Sequence, residues 1–494
     1  MANPNNITLR LASNGGVDRT LSYEEMDNNF KELVTSINDV TSLDGEVTQS
    51  QSDISQLQSD VAEKLQVETY NSRVLREAIF KEATLSFDFV TDTYYVNEGL
   101  AGDIKAPFEQ IATFTRASSA TGQAVGKLET VTNDIKRLTR DPVSNKREGL
   151  LIEEQRTNLI TYSEQFDNAA WAKFGGAITA NTNLAPDGAV TGDTYLEDNT
   201  IRSRVLRQNV DVVLGLKYAF YVYAKLGSGD RKLALTLDGA SNGAVFDLLA
   251  GTVLTTSGGS ALIQSQNNGY YLVTYLFEAT STGSVAADVR MQRNSTTGID
   301  NYTGDGTSSV ILWGAQVEQG SFPTSYIPTA GTQVTRAADA CERVLGDEFN
   351  NDGFSFYYEF YFDKDKITST PYSPQFDFST GNGRISFCFS GNGLVGAALQ
   401  IVRNDNSVNL SSIVANLTDK SFNKVSASFT ATQAIICVNG TSSTFTLTGA
   451  FTNVDRLRLG DQHNLGRSNT IQKDFRLFPT ALSEAELIAL TGSD

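Results

Sequence analysis

From about residue 84 onward, apolar and polar residues alternate in short runs broken by Gly, Asn, Asp and Ser. A period of two lets a strand turn one face inward, and runs this short, punctuated this often, do not suit long helices. The pattern confines this part of the chain to antiparallel β architecture of the sandwich or jelly-roll kind. The stretch LSFDFVTDTYYVN (85–97) opens it. Strands are expected at 218–226, 232–237, 269–279, 285–292 and 310–318 in one sandwich, about 166–335. A second sandwich, about 336–494, is expected from 354–362, 384–390, 424–430, 434–440, 443–449 and 455–461. Asn439-Gly440 is a hairpin turn signal. Ser483, with Glu486 three residues on, caps a short closing helix. Residues 81–165 read as a β-rich connecting region.

The first 80 residues read differently. TLSYEEMDNNFKEL suggests a short amphipathic helix capped by Ser22, in an opening segment of about 32 residues. From 33 to 80 a heptad pattern places Leu33, Val40, Val47, Ile54 and Val61 at position a, and Leu43 and Leu57 at d. Ser50 and Lys64 also fall at d and Gly45 interrupts the pattern, so the seam is imperfect. A helix from Leu33 to Lys64 would be roughly 47 Å long, a coiled-coil stalk. β-branched residues at a with Leu at d favour two strands when nothing else associates. The expected fold class is thus mainly β: a helical stalk followed by two antiparallel sandwiches.

Composition removes several functions. With 39 Lys+Arg against 57 Asp+Glu, the formal charge is −18, unsuited to sequence-independent nucleic-acid binding. A single histidine, His463, excludes two-histidine metal sites and leaves one base for a nucleophilic triad. Cys341, Cys388 and Cys437 form no disulfide framework and read as buried thiols. No apolar run approaches the ~20 residues that span a bilayer, so no membrane insertion is expected. MANPNNITLR lacks the pattern of a signal peptide, so synthesis in the cytoplasm of the producing cell is expected.

Several stretches together resemble tailed-bacteriophage tail fibre and receptor-binding proteins. They are Phe114–Thr121 (FTRASSAT), Gly149–Leu159 (GLLIEEQRTNL), Thr161–Trp171 (TYSEQFDNAAW), Thr303–Ser309, Trp313–Gly320 and Ser325–Thr329. In that group the central part is similar to a carbohydrate-binding-module jelly roll. The last segment, with its Val438-Asn439-Gly440 hairpin, DRLRLG and LSEAELIALTG, resembles a concanavalin-A-like or laminin-G-type lectin sandwich. Leu21–Phe30 resembles the virion-attachment end of such fibres. The resemblance implies a homotrimer on the virion tail, docked through its N-terminus on a tail or baseplate protein and touching host polysaccharide or glycan with its sandwiches. A polysaccharide-degrading tailspike enzyme and a purely structural adaptor are the alternatives.

Sugar recognition needs flat apolar faces and polar side chains that read hydroxyls. Tyr302, in a loop outside the clear strand runs, is one candidate, unless it packs that loop onto its own sandwich. Asp461, His463, Asn464 and Arg467 could form a polar pocket at a sandwich rim, or a plain solvated loop. Trp171 and Trp313 are expected to be structural. Calcium is the metal such a chain invites, with Asp300 and Asp305 as carboxylate ligands. Catalysis is not expected. Glu153 and Glu154 are adjacent on a strand and would diverge, and Glu154 or Arg156 reads better as half of an ion pair. No serine sits in a nucleophile elbow.

Overall fold

A computed structural model describes residues 7–9, 19–21, 31, 54–60, 72–97, 103–239, 242–293, 300–366, 372–378, 384–390, 396–402, 408–415, 417–447, 451, 454–462, 466–467 and 469–492. The chain divides into two compact units, 1–73 and 74–494. In the first, Ile7–Leu9 pairs antiparallel with Arg19–Leu21, a hairpin that local patterning did not announce. The Ser22-capped helix lies outside the described residues except for Lys31, which is helical. Residues 54–60 are helical and carry Ile54 and an exposed Leu57. Leu33, Val40, Leu43, Val47 and Val61 lie outside the described residues, so a continuous stalk is not part of the described fold. Among the described residues no helix is long and apolar enough to cross a membrane.

The second unit is mainly β and holds two sandwiches, one inserted into the other. Residues 85–152 do not connect domains as expected; they supply strands to the C-terminal sandwich. Leu85–Asp88 pairs with Thr470–Phe478, Arg147–Ile152 pairs with the same strand further along, and Thr113–Thr115 pairs with Ala340–Val344. This split sandwich has, among the described residues, sheets of ten and seven strands. Its core is aromatic, with Phe354, Phe356, Phe376, Phe429 and Phe475 fully buried between the sheets. Phe354 and Phe429 stack at 4.8 Å, and each such side chain contributes about 1.5–3 kcal/mol on burial. Gly353–Phe362 is buried along nearly its whole length because both its faces are covered. Phe354 and Phe356 face the opposite sheet, while Tyr357 meets Ile79, Leu487 and Leu490 of the flanking helices. The closing helix Glu484–Thr491 carries the expected capping box. Asn439 and Gly440 take the positive φ that a tight hairpin needs. Cys341 and Cys437 are buried free thiols.

The inserted sandwich runs between two short strands that pair with each other, Arg156–Asn158 against Val334–Arg336. The chain therefore leaves and rejoins the split sandwich at one place, which is the condition for tolerating an inserted domain. Its two six-stranded sheets enclose a second core that includes Leu206, Phe220, Leu235, Phe246, Tyr275 and Val289. The sheet containing Lys217–Ser228 is also covered on its outer side, where Tyr221, Tyr223, Trp313 and Tyr326 cluster with Leu128. Among the described residues the other sheet carries no such apolar cluster on its outer side, though Val205, Ala234, Val245, Asp288 and Arg290 there are buried. It is ordered Ala172–Phe174, Arg204–Val212, Gly283–Gln292, Lys232–Leu237, Gly243–Asp247, Thr252–Ser257.

Candidate functional site

The structure moves most of the expected sugar and metal contacts inside. Tyr302 is only 3% exposed. Its hydroxyl donates to Glu197 at 2.6 Å, and its ring lies 4.0 Å from the Arg204 guanidinium and 5.3 Å from that of Arg231. A ring held this way has no face left for a sugar, so Tyr302 fastens its loop to the sandwich. Asp305 turns onto the same cluster. Oδ2 accepts from Arg231 at 2.9 Å and from the Ser308 hydroxyl, and Oδ1 accepts from the Thr307 and Ser308 amides. The Ser308 and Thr307 hydrogen bonds hold its carboxyl well below the usual range. The Asp305 carboxylate is thus engaged by Arg231 and by its own turn. Asp300 accepts from the Arg293 amide at 2.8 Å. Among the described residues no group of three or more His, Cys, Asp and Glu gathers to hold a metal.

Asp461 and Arg467 stand opposite one another in a two-residue antiparallel pairing. His463 and Asn464 lie outside the described residues. Trp171 is buried and donates from Nε1 to the Tyr162 carbonyl at 2.7 Å. Trp313 is buried in the outer cluster with Tyr223 and Tyr326.

Arg116, Glu153 and Ser325, from three of the shared motifs, meet Arg137, Arg336 and Asp339 at the junction between the sandwiches. Asp339, fully buried, is ion-paired to Arg116 at 3.2 Å and to Arg137. Glu153 pairs with Arg137 at 2.9 Å and Arg336 at 3.4 Å and accepts from the Ser325 amide at 2.9 Å. Burial pushes the Glu153 carboxyl up, but Arg336, Arg137 and Ser325 outweigh it and hold it well below the carboxylate range. Glu154 turns elsewhere, to an ion pair with Arg156. The two acids do diverge. Arg137, Arg336 and Asp339 were not legible as partners, because they come from segments about 200 residues apart in sequence.

A polar cluster lies on the outer face of the Arg204–Val212 sheet of the insert, buried except at one edge. Opposed residues in an antiparallel sheet share a face, and successive residues alternate. Leu206, Val289, Leu235 and Ala244 form an inward row. The rows on either side therefore point away from the core. One is Ala172, Arg207, Asp288 and Thr236; the other is Phe174, Val205, Arg290, Ala234 and Val245. Asp288 receives Arg207 Nε at 2.6 Å and Nη2 at 2.9 Å, and also Arg290 Nε at 3.1 Å. Arg290 Nη1 and Thr236 Oγ1 are buried in the floor of this face and have no hydrogen-bond partner among the described residues. At the rim the Arg207 side chain is 40% exposed and Phe174 is 39% exposed. Two arginines on one aspartate leave a net positive centre beside an exposed aromatic ring. Such a group can grip a carboxylate bidentately while the ring covers an apolar surface. The signal for this site was in the sequence: Asp288 and Arg290 sit two apart in an otherwise apolar strand, which puts both charges on one face.

No family model matches the sequence, and no curated protein matches it significantly. Solved structures match weakly. The CBM40 of the Ruminococcus gnavus IT-sialidase, bound to alpha2,3 sialyllactose, is 16% identical over 29% of this chain and 84% of that one, with a TM-score of 0.23. Domains LG4-5 of the mouse laminin alpha1 chain are 9% identical over 66% and 94%, with a TM-score of 0.20. Trypanosoma rangeli sialidase in complex with sialic acid is 8% identical over 83% and 99%, with a TM-score of 0.26. The sandwich architecture accordingly rests on the strand pairing above. The expectation that the chain is not an enzyme is corrected: glycosidases stand among its structural matches. Scarce histidine never bore on them, since most glycosidases work with carboxylates. At this similarity the match assigns no reaction.

Proposed function

We propose that this chain is a tail fibre or receptor-binding protein of a tailed bacteriophage, carried on the virion as a homotrimer. On this reading its N-terminal segment docks on a tail or baseplate protein, and the open sheet of the inserted sandwich recognises an acidic glycan on the host surface. The phage assignment draws on the shared motifs, from Phe114–Thr121 to Ser325–Thr329. The glycan assignment rests on one observation: at the exposed edge of the outer face the half-exposed Arg207 guanidinium, backed by the buried Asp288 and Arg290, stands on a face with the exposed Phe174. The chain's charge of −18 does not forbid an acidic ligand. At physiological salt, charges beyond about 8 Å are screened, while a guanidinium in contact is not. Three copies would raise a weak single-site affinity by avidity. The 461–467 hairpin, with Asp461 opposite Arg467 and His463 and Asn464 between them, is a second contact on the same reading.

The test is binding of host polysaccharide to the purified chain, with light scattering for copy number. A trimer is expected, with binding that Arg290→Gln and Phe174→Ala each weaken about tenfold. A monomer would sink the fibre reading. Unchanged binding in both variants would sink the site.

A further inference from the structure

A second polar cavity lies where the two sandwiches meet, far in chemistry from the open sheet. It encloses about 520 Å³, inside the range of 300–1,000 Å³ typical of small-ligand sites, and domain junctions are a preferred place for them. Several parts of the chain line it, and three of them matter here. The 139–151 segment brings Glu148, the end of an edge strand of the insert brings Gln264, Ser265 and Gln266, and the split sandwich brings Tyr361 and Lys366.

Some polar groups of this cleft are not used up by the fold. Glu148, Tyr361 and Lys366 are half-buried, yet none makes a side-chain hydrogen bond or close ion pair with any described residue. The Tyr361 ring itself is fixed, lying edge-on to Phe422 at 5.5 Å. Burial, with the nearby Asp141 charge, pushes the Glu148 carboxyl above its usual range, and Lys366 only partly offsets this. A half-buried carboxylate without donors gains from any ligand that brings one. The charges balance. Arg140 and Lys366 stand against Asp141 and Glu148, while Arg137, also in the wall, is already neutralised by Asp339 and Glu153. A wall of mixed donors and acceptors with no net charge suits a ligand whose groups both donate and accept. Hydroxyls do this, and a fixed tyrosine ring adds an apolar platform.

We infer that this cleft is a binding site for a neutral saccharide of two or three units, held by the Glu148 carboxylate and the amides of Gln264 and Gln266 against Tyr361. The site shares with the proposed function only the idea of sugar recognition. It differs from the open sheet in place, charge and ligand, so either can fail alone.

The experiment is calorimetric titration of the full chain with cellotriose, maltotriose and mannotriose as neutral probes and trigalacturonic acid as the acidic one. At least one neutral probe is expected to bind. Glu148→Gln should weaken it about tenfold, and Ser265→Trp, which fills the cleft from an exposed edge strand, should abolish binding with the melting temperature unchanged. Arg290→Gln should leave the neutral probe's affinity unchanged and weaken only the acidic one. Failure of all three neutral probes overturns the inference. So does a neutral affinity that survives both Glu148→Gln and Ser265→Trp, or one that falls with Arg290→Gln.

Discussion

The junction and the open sheet use the same groups, arginines gathered on a carboxylate, and differ in what closes them. At the junction Asp339 takes Arg116 and Arg137 and Glu153 takes Arg137 and Arg336, with both sandwiches wrapped around them. On the open sheet Asp288 takes Arg207 and Arg290, and one rim of the cluster is exposed. Unpartnered nitrogens occur in both, on Arg137 and Arg336 as on Arg290. These nitrogens are buried in both, but at the sheet the cluster reaches an exposed rim through Arg207, whereas at the junction it does not.

The sharpest way to break this contrast is Asp339→Ala. It leaves two buried guanidinium groups without their shared carboxylate, and loss of one partner of a buried pair costs about 3–5 kcal/mol. Urea denaturation should show that loss, and a change below about 1 kcal/mol would mean the junction is not a closed joint.

Next comes an acid that has no arginine on it. Glu318 is fully buried and accepts from the Thr324 amide and hydroxyl, and burial pushes its carboxyl up to about 7. A raised carboxyl means the folded chain holds its proton longer than the unfolded one. The stability it supports is therefore complete below pH ~4.5 and declines until about pH 7, by at most about 3 kcal/mol. Glu153 has the opposite sign: its contribution is present above pH ~4.5 and is lost as the pH falls further. Melting temperature followed from pH 3 to 8 should peak near pH 5, and Glu318→Gln should flatten the alkaline side. A monotonic rise to pH 8 would contradict the sign.

A third cluster, Glu197 with Arg204 and Arg231, is closed by the Tyr302 hydroxyl. Tyr302→Phe should cost about 1.5–3 kcal/mol in denaturant titration, the range for a hydrogen bond to a charged group, and leave sugar binding alone. Weakened sugar binding would return Tyr302 to the ligand surface. The smallest effect is expected at the sheet. Arg290→Gln should lower acidic-glycan affinity about tenfold, or about 1.4 kcal/mol, while Arg207 keeps Asp288 paired.

Local features were legible in the sequence. The strands near 232–237, 384–390 and 354–362, the Asn439-Gly440 hairpin and the Ser483 cap are set by neighbours a few residues apart, and they stand where expected. Partner choice was not legible. Alternation shows that Leu85–Asp88 is a strand, but nothing in four residues names Thr470–Phe478 as its partner. The same gap explains Tyr302 and Asp305. A polar loop rich in Asp and Gly reads as a surface until Arg204 and Arg231, from distant parts of the chain, close on it. Asp288 and Arg290 could have been read, since two opposite charges at even spacing in an apolar strand must share a face.

The paired strands Arg156–Asn158 and Val334–Arg336 have a mechanical consequence. Both ends of the second unit lie on the split sandwich, so tension applied through them runs along its long strands and crosses this short ribbon without entering the insert. The inserted sandwich sits off the load path, clamped at its base. A pulled molecule would keep that domain folded until the ribbon unzips, and its open sheet would stay intact while the rest of the chain bears the force.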